Sequence, residues 1–122
     1  MKIPRVFTGG DGQSHFDEID IDLDIQAGEF SSASRLLVGP GVMFRETNGD
    51  YSLDFHPAPR RQFIVNLDGW VELEVGDGTI RRFGPGSIFL ADDVTGQGHR
   101  SRAVEGQARR SVVIPVEEAL GG

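Results

Sequence analysis

Hydrophobic and polar residues alternate most regularly near the N-terminus, where residues 16–25 read FDEIDIDLDI. Isoleucine or leucine occupies every second position from Ile19 to Ile25, and an aspartate lies between each pair. A period of two is typical of a strand with one buried face and one solvated face. The pattern therefore predicts a β-strand over residues 16–25.

Short apolar or alternating runs continue along the rest of the chain, and each ends at a turn sequence. These turns are GPG at 39–41, NGD at 48–50, DG at 68–69 and GDG at 76–78. Turn signals that recur roughly every eight to twelve residues are typical of β-sandwiches and β-barrels. We expect an all-β fold with little or no helix.

The length of 122 residues indicates one domain over residues 1–122. Nineteen acidic residues outweigh twelve basic ones, and the net charge of -7 disfavours binding to nucleic acid or to an anionic membrane. No cysteine is present, which excludes a disulfide scaffold and a thiolate metal site. No segment approaches the ~20 apolar residues of a membrane span, so a cytoplasmic protein is expected.

The chemistry-bearing residues cluster in residues 51–69, YSLDFHPAPRRQFIVNLDG, and in residues 84–102, which contain His99. On a strand through this first stretch, Asp54 and His56 would lie on one face and Leu53 and Phe55 on the other. If the polar face points into the protein, Leu53 and Phe55 point outward and need a cover, which a second copy of the chain commonly provides. A homodimer is therefore predicted.

These two stretches resemble the two motifs of a small single-domain cupin, a double-stranded β-helix related to the jelly rolls. His56 stands at the first histidine position, and Gln62 lies six residues before the closing turn Asp68-Gly69. Pro85-Gly86-Ser87 begins the second motif, and His99 ends it. The resemblance covers about residues 34–115. It implies a cupin barrel on which N-terminal strands within residues 3–25 pack, either in the same chain or in a dimer partner.

The resemblance implies a metal site at His56, Gln62 and His99. Three features depart from the family pattern: the loop before His99 is about two residues longer than usual, and two ligand positions are changed. Ala58 replaces a ligand histidine, and Gln62 replaces the ligand glutamate. An amide is a weaker, uncharged ligand than a carboxylate. The cofactor implied is one divalent transition metal, iron, manganese, nickel or zinc, or none. Asp54 or Asp93 could supply a negative ligand.

A second resemblance, over RRQFIVNLDGWVELEVGDG at residues 60–78, is to nucleotide-sugar ketoisomerases, cupin enzymes in which histidines move protons without a metal. It implies that His56 and His99 act as general acid and base, because histidine titrates near neutral pH. Asp54 would orient one ring, and Gln62 would bind a substrate carbonyl or hydroxyl. Metal-assisted and metal-free enzymes both remain open. So do a non-catalytic ligand-binding or sensing module and a structural barrel plugged by side chains such as Ile64 and Phe89.

The predicted ligand is a small oxygenated molecule, and the predicted substrate pocket adds Asp54, Arg61 and Asn66 to the three motif residues. Arg60 or Arg61 could bind an anionic substrate, although surface ion pairs are the commoner role. His15 is expected to cap a turn or pack at a dimer seam, unless it completes a three-histidine site. On the strand from Val71, the glutamates Glu72 and Glu74 are interpreted as a solvated face, and Asp93 as a turn residue.

Overall fold

The computed structural model describes residues 1–120, and within them every regular element is a β-strand. This part of the chain has no helix of the length and hydropathy that a membrane crossing requires. The strands are β1 (Lys2–Thr8), β2 (Ser14–Asp20), β3 (Ile25–Ala27), β4 (Ser31–Ala33), β5 (Met43–Thr47), β6 (Ser52–His56), β7 (Gln62–Asp68), β8 (Val71–Glu74), β9 (Ile80–Phe83), β10 (Ile88–Asp92), β11 (His99–Ala103) and β12 (Arg109–Pro115).

Two large sheets build the barrel. The six-stranded sheet has the order β2-β1-β10-β7-β12-β5, the four-stranded sheet has the order β6-β11-β8-β9, and β3 and β4 form a separate hairpin. The main core lies between the large sheets, because it combines Ile64 and Val113 of the first with Val71 and Leu73 of the second. The prediction of an all-β fold with little or no helix is confirmed for residues 1–120.

The N-terminal strands belong to the six-stranded sheet of their own chain. β1 pairs in parallel with β10, and β2 pairs antiparallel with β1. A second cluster on the other face of this sheet includes Ile3 and Ile19 from these strands with Phe63 and Leu90 from the barrel. The first two strands therefore extend the sheet whose other face lines the barrel interior.

The predicted strand over residues 16–25 is shorter in the structure. β2 ends at Asp20, which pairs with Lys2 at the start of β1. An edge strand continues only as far as its neighbour offers hydrogen bonds, and past Asp20 only Ile21 still pairs, with the backbone of Met1. The prediction is right for residues 16–20 and wrong for residues 21–24, where the alternation persists without a strand.

The outer face of the four-stranded sheet carries a set of paired charges, which we call the outer ladder. Here the prediction of a solvated face is wrong for Glu72, which is only 8% exposed. Its carboxylate accepts hydrogen bonds from Arg82, at 2.8 Å, and from Arg102. The ladder comprises Asp54, Glu72, Glu74, Arg82, Arg100 and Arg102.

Candidate functional site

A cavity of about 70 Å³ lies between the two sheets. Half of its lining residues are apolar, among them Ile64, Leu73 and Phe89. Both Ile64 and Phe89 line the cavity and leave it open. Polar side chains form a histidine end, with His56, Gln62 and His99, and an arginine end, with Arg45, Tyr51, Ser101 and Arg109.

His99 is held by a buried carboxylate behind the cavity. Its Nδ1 lies 2.6 Å from Oδ2 of Asp93, a residue with no exposed surface. Ser14 donates a second hydrogen bond to the same oxygen at 2.6 Å. Because an ionised carboxylate only accepts, Nδ1 of His99 donates, and its Nε2 is left with a lone pair. The aspartate thus fixes both the tautomer and the orientation of the ring.

A glycine brings the second histidine beside the first. Gly98 has a φ of 78°, and a Cβ added there would overlap the backbone carbonyl of His56. The rings of His56 and His99 consequently lie 4.8 Å apart between centroids. Nδ1 of His56 is 2.7 Å from the backbone oxygen of Asp54 and donates to it. Each imidazole therefore keeps Nε2 free of these contacts.

Gln62 lines the cavity at the start of β7 and is buried together with Ile64 and Asn66 on the same face of the strand. Its Oε1 accepts a hydrogen bond of 3.2 Å from Arg60. Arg60 itself is exposed. The structure thus brings His56, Gln62 and His99 together in one cavity.

Asp54 does not lie there, because a bulge changes the alternation of β6. His56 pairs with His99 and Leu53 pairs with Ser101, so three steps on β6 match two on β11. The Asp54 side chain is 81% exposed and joins the outer ladder. The prediction that Asp54 and His56 share a face is wrong, because an extra residue in one strand reverses the side-chain order.

Arg61 and Asn66, two of the residues predicted for the substrate pocket, do not line the cavity either. Nε of Arg61 lies 2.6 Å from Oδ1 of Asp92, in an ion pair outside the barrel interior. Asn66 faces inward, but it donates to the carbonyl of Phe83 at 3.0 Å and accepts from Arg109. Arg61 is therefore a structural ion-pair partner, and Asn66 is a support for an arginine that does line the cavity.

His15 lies away from the other two histidines. Its Nε2 is 2.9 Å from Asp11, beside the turn that joins β1 and β2. This position agrees with a turn-capping role and not with a third histidine ligand. The three histidines of the chain do not form one site.

The arginine end contains two cations and no acidic lining residue among the described residues. Arg109 is only 4% exposed, and its Nη1 donates to Oδ1 of Asn66 at 3.2 Å. Nε of Arg45 is buried with no hydrogen-bond partner in residues 1–120. Burial, and then the charge of Arg45, lower the pKa of the Arg109 guanidinium to about 10. With a pKa of about 10, the Arg109 guanidinium is charged at neutral pH.

The residues present do not fit the divalent metal that the resemblance to cupin motifs implies. Residues 1–120 contain no group of three histidine, cysteine or acidic side chains placed to share an ion. The cavity offers two imidazoles and the Gln62 amide oxygen, which already accepts from Arg60. Arg45 and Arg109 add positive charge to the same space, and this repels a divalent cation.

Sequence reasoning did not identify the arginine end or the role of Asp93. Alternation along β12 did contain a signal, because Arg109 shares its parity with the inward-facing Ser111 and Val113. Nothing in the sequence indicated the contact between Asp93 and His99. Five residues of glycine-rich loop separate them, and a loop of that kind has no period from which a contact follows.

No family model matches the chain, and no curated protein matches it. Among solved structures, it is similar to protein NMB1881 from Neisseria meningitidis, at 15% identity and a TM-score of 0.50, over 67% of this chain and 81% of that one. It is similar to the conserved SPY1581 protein of unknown function from Streptococcus pyogenes, at 15% identity and a TM-score of 0.50, over 81% and 95% of the two chains. The Cnp3 cupin domain from Schizosaccharomyces pombe gives 15% identity and a TM-score of 0.49, over 85% and 73%. At this level of identity the likeness concerns the fold alone.

Proposed function

We propose that the chain binds a small oxygenated molecule in its barrel and acts on it as a metal-free acid–base enzyme. One observation carries this proposal: a buried carboxylate, Asp93, holds His99 beside His56 in the wall of a cavity. An aspartate in this position stabilises the imidazolium that forms when a histidine accepts a proton. Two histidines and one amide in a partly apolar space suit proton transfer better than metal binding.

The chemistry supported best is isomerisation through an enediol. Nε2 of His99 accepts the proton from the carbon next to a substrate carbonyl, and the electrons of that C–H bond form a carbon–carbon double bond. Protonated His56 gives its proton to the carbonyl oxygen at the same time. Return of a proton from His99 to the former carbonyl carbon, with loss of the neighbouring hydroxyl proton to His56, yields the isomer and restores both side chains. Gln62 orients the substrate oxygen.

The size of the cavity limits the substrate. A single water needs about 10–15 Å³ of such space, so about 70 Å³ accommodates a few waters or one compact organic molecule. A molecule of about two to four carbons fits this volume. A whole nucleotide sugar does not, so the resemblance to ketoisomerases concerns the chemistry and not the substrate.

The test is solvent exchange. The protein is incubated in D₂O with a panel of short hydroxy-aldehydes, hydroxy-ketones and oxo acids, and NMR follows deuterium at the carbon next to the carbonyl. We expect exchange that falls roughly 10²–10⁴-fold in His99→Gln and in His56→Gln. His15→Gln is the matched control, because His15 also contacts a carboxylate but lies outside the cavity.

Two results would contradict the proposal. Equal exchange in wild type and His99→Gln would remove the histidines from the reaction, and binding of a panel compound without exchange would indicate a sensing module. Treatment with EDTA tests whether the protein is a metal enzyme. If EDTA abolished the exchange rate and iron, manganese, nickel or zinc restored it, the site would be assigned to a metal. We expect EDTA to leave the rate unchanged.

We also propose that the chain forms a homodimer. Leu53 is exposed as predicted, while Phe55 is half-buried under the Arg100 guanidinium, 4.6 Å from its ring. Larger apolar exposures lie in residues 25–44, where Phe30 is 92% and Leu36 95% exposed. Such exposure needs a cover. Sedimentation at micromolar concentration should give a dimer, and a monomer would remove this argument.

A further inference from the structure

The charge of the cavity is opposite to that of the molecule. The chain carries a net charge of -7, yet two arginines and no carboxylate line the cavity among residues 1–120. Most other arginines lie within reach of a carboxylate, as in the pairs of Arg5 with Asp17 and of Arg110 with Asp68. The arginine end is therefore a local exception that the overall composition does not explain.

The fold satisfies these two cations incompletely. Arg45, Ser111 and Asn66 lie side by side across β5, β12 and β7, with their side chains on one face. Within the described residues, Nε of Arg45 and Oγ of Ser111 are buried without a hydrogen-bond partner. Within residues 1–120, the only side-chain hydrogen bond of Arg109 is to the neutral Asn66. Removing a guanidinium from water without an anionic partner is unfavourable, so this arrangement is destabilising until an anion enters.

We propose that Arg45 and Arg109 bind the anionic group of the substrate, a carboxylate or phosphate, while its reacting carbon lies against His56 and His99. The anion receives charge-assisted hydrogen bonds from the two guanidinium groups. The hydroxyls of Tyr51 and Ser101, hydrogen-bonded to each other at the same end, are further donors.

This substrate class rests on the proposed function and makes it more specific. His99 and Ser101 lie two residues apart on the inward face of β11, which separates the two ends of the cavity by roughly 7 Å. In a short oxo or hydroxy acid, the anionic group and the reacting carbon are one or two bonds apart. The long arginine side chains can cover most of the distance between the two ends. Both ends can therefore contact one short molecule.

Thermal unfolding with small probes tests the proposal. Pyruvate, glycolate and inorganic phosphate are compared with the neutral acetamide and lactamide at constant ionic strength. At about a hundredfold excess over Kd, an anion that binds should raise the Tm by roughly 5–10 °C, while the amides should not. A shift with the two carboxylates alone assigns a carboxylate, and a shift with phosphate alone assigns a phosphate. The absence of any anion-specific shift overturns the proposal.

Arg109→Met is the decisive variant. It should abolish the anion-dependent shift and raise the Tm measured without ligand, because a buried, incompletely paired cation is removed. Arg110→Met is the matched control, one residue along β12 on the exposed face, and should keep the full shift. Arg45→Met provides the same test should Arg109→Met not fold. An undiminished shift in both cavity variants would overturn the proposal.

The outcomes separate this proposal from the function it rests on. His99→Gln should retain the anion-dependent shift while losing proton exchange. An anion response without exchange in wild type would sustain the arginine site and reject the enzyme. Exchange on neutral hydroxy-ketones without any anion-dependent Tm shift would sustain the acid–base enzyme and reject the arginine site.

Discussion

Arginines lie on both sides of the barrel wall, and their partners differ. In the outer ladder every arginine pairs with a carboxylate, and the partly buried Glu72 serves two of them. Arg45 and Arg109 in the cavity have no such partner within residues 1–120. A paired arginine is a complete structural unit, whereas a buried, unpaired one keeps its hydrogen-bonding capacity for something that is not part of the chain.

One strand separates the two regions. β11 alternates, so that His99 and Ser101 face the cavity while Arg100 and Arg102 face the outer ladder. A displacement of this strand should disturb both faces together. The side chains on either face can be changed independently, and this makes the comparison testable.

The largest effect is expected from Gly98→Ala, which disturbs both regions at once. The new Cβ would clash with the backbone of His56, and the positive φ adds strain. We expect a loss of about 3 kcal/mol or more in the free energy of unfolding, measured by urea denaturation. Gly86→Ala is the matched control, because its φ of 77° is nearly the same and its Cβ would meet nothing. Equal losses in the two variants would show that strain alone, and not the contact with His56, matters.

The next effect is expected in the outer ladder alone. Glu72→Ala leaves Arg82 and Arg102 without their shared carboxylate and should lower the free energy of unfolding by about 2 kcal/mol. The anion-dependent Tm shift should stay as in wild type, because the cavity is untouched. A reduced shift would mean that the two regions are coupled through the sheet.

A smaller effect of opposite sign is expected when a carboxylate is placed in the cavity. Ser111 pairs with Arg45 across the sheet, so Ser111→Asp supplies the partner that the arginine end lacks. We expect the free energy of unfolding to rise by about 1 kcal/mol and the anion-dependent shift to disappear. Ser111→Asn controls for size without charge. Destabilisation by the aspartate and not by the asparagine would contradict an unpaired arginine end.

The smallest effect concerns acid. Hydrogen bonds from Arg82 and Arg102 hold the pKa of the Glu72 carboxyl below its usual value, although burial acts in the opposite direction. A lowered pKa in the folded state contributes stability above the unfolded value, near 4.5, and that contribution is lost as the pH falls through the folded value. The Tm should therefore fall more steeply below about pH 4.5 in wild type than in Glu72→Gln. If the plots of Tm against pH were parallel for wild type and Glu72→Gln, Glu72 would not contribute to the loss of stability in acid.

The all-β fold could be predicted from local period and turn chemistry, whereas the histidine end was indicated by the resemblance of two stretches to the cupin motifs. Gln62 and Ile64 lie inward on β7, and Leu73 lies inward on β8, as alternation requires. The inward position predicted for Asp54 from alternation is wrong, because the bulge in β6 adds one residue. No turn residue in the sequence indicates this bulge. Glu72 was misjudged for a different reason. Glu72 lies on the outer face, but Arg82 and Arg102 on the two neighbouring strands cover it. The order of strands in the sheet cannot be read from the hydrophobic pattern of the sequence.

The sheet order has a consequence for how the chain is made. Arg45 is carried by β5, whereas Arg109 and Ser111 lie on β12, which inserts between β5 and β7. β1 likewise joins β10 across most of the chain. Strand pairings between distant segments form slowly, and during synthesis the cavity stays open on one side until residue 115 is available. Because Arg109 lies on the last strand, the arginine end is complete only when β12 has paired with β5 and β7, and an anion that binds there would stabilise only the completed sheet.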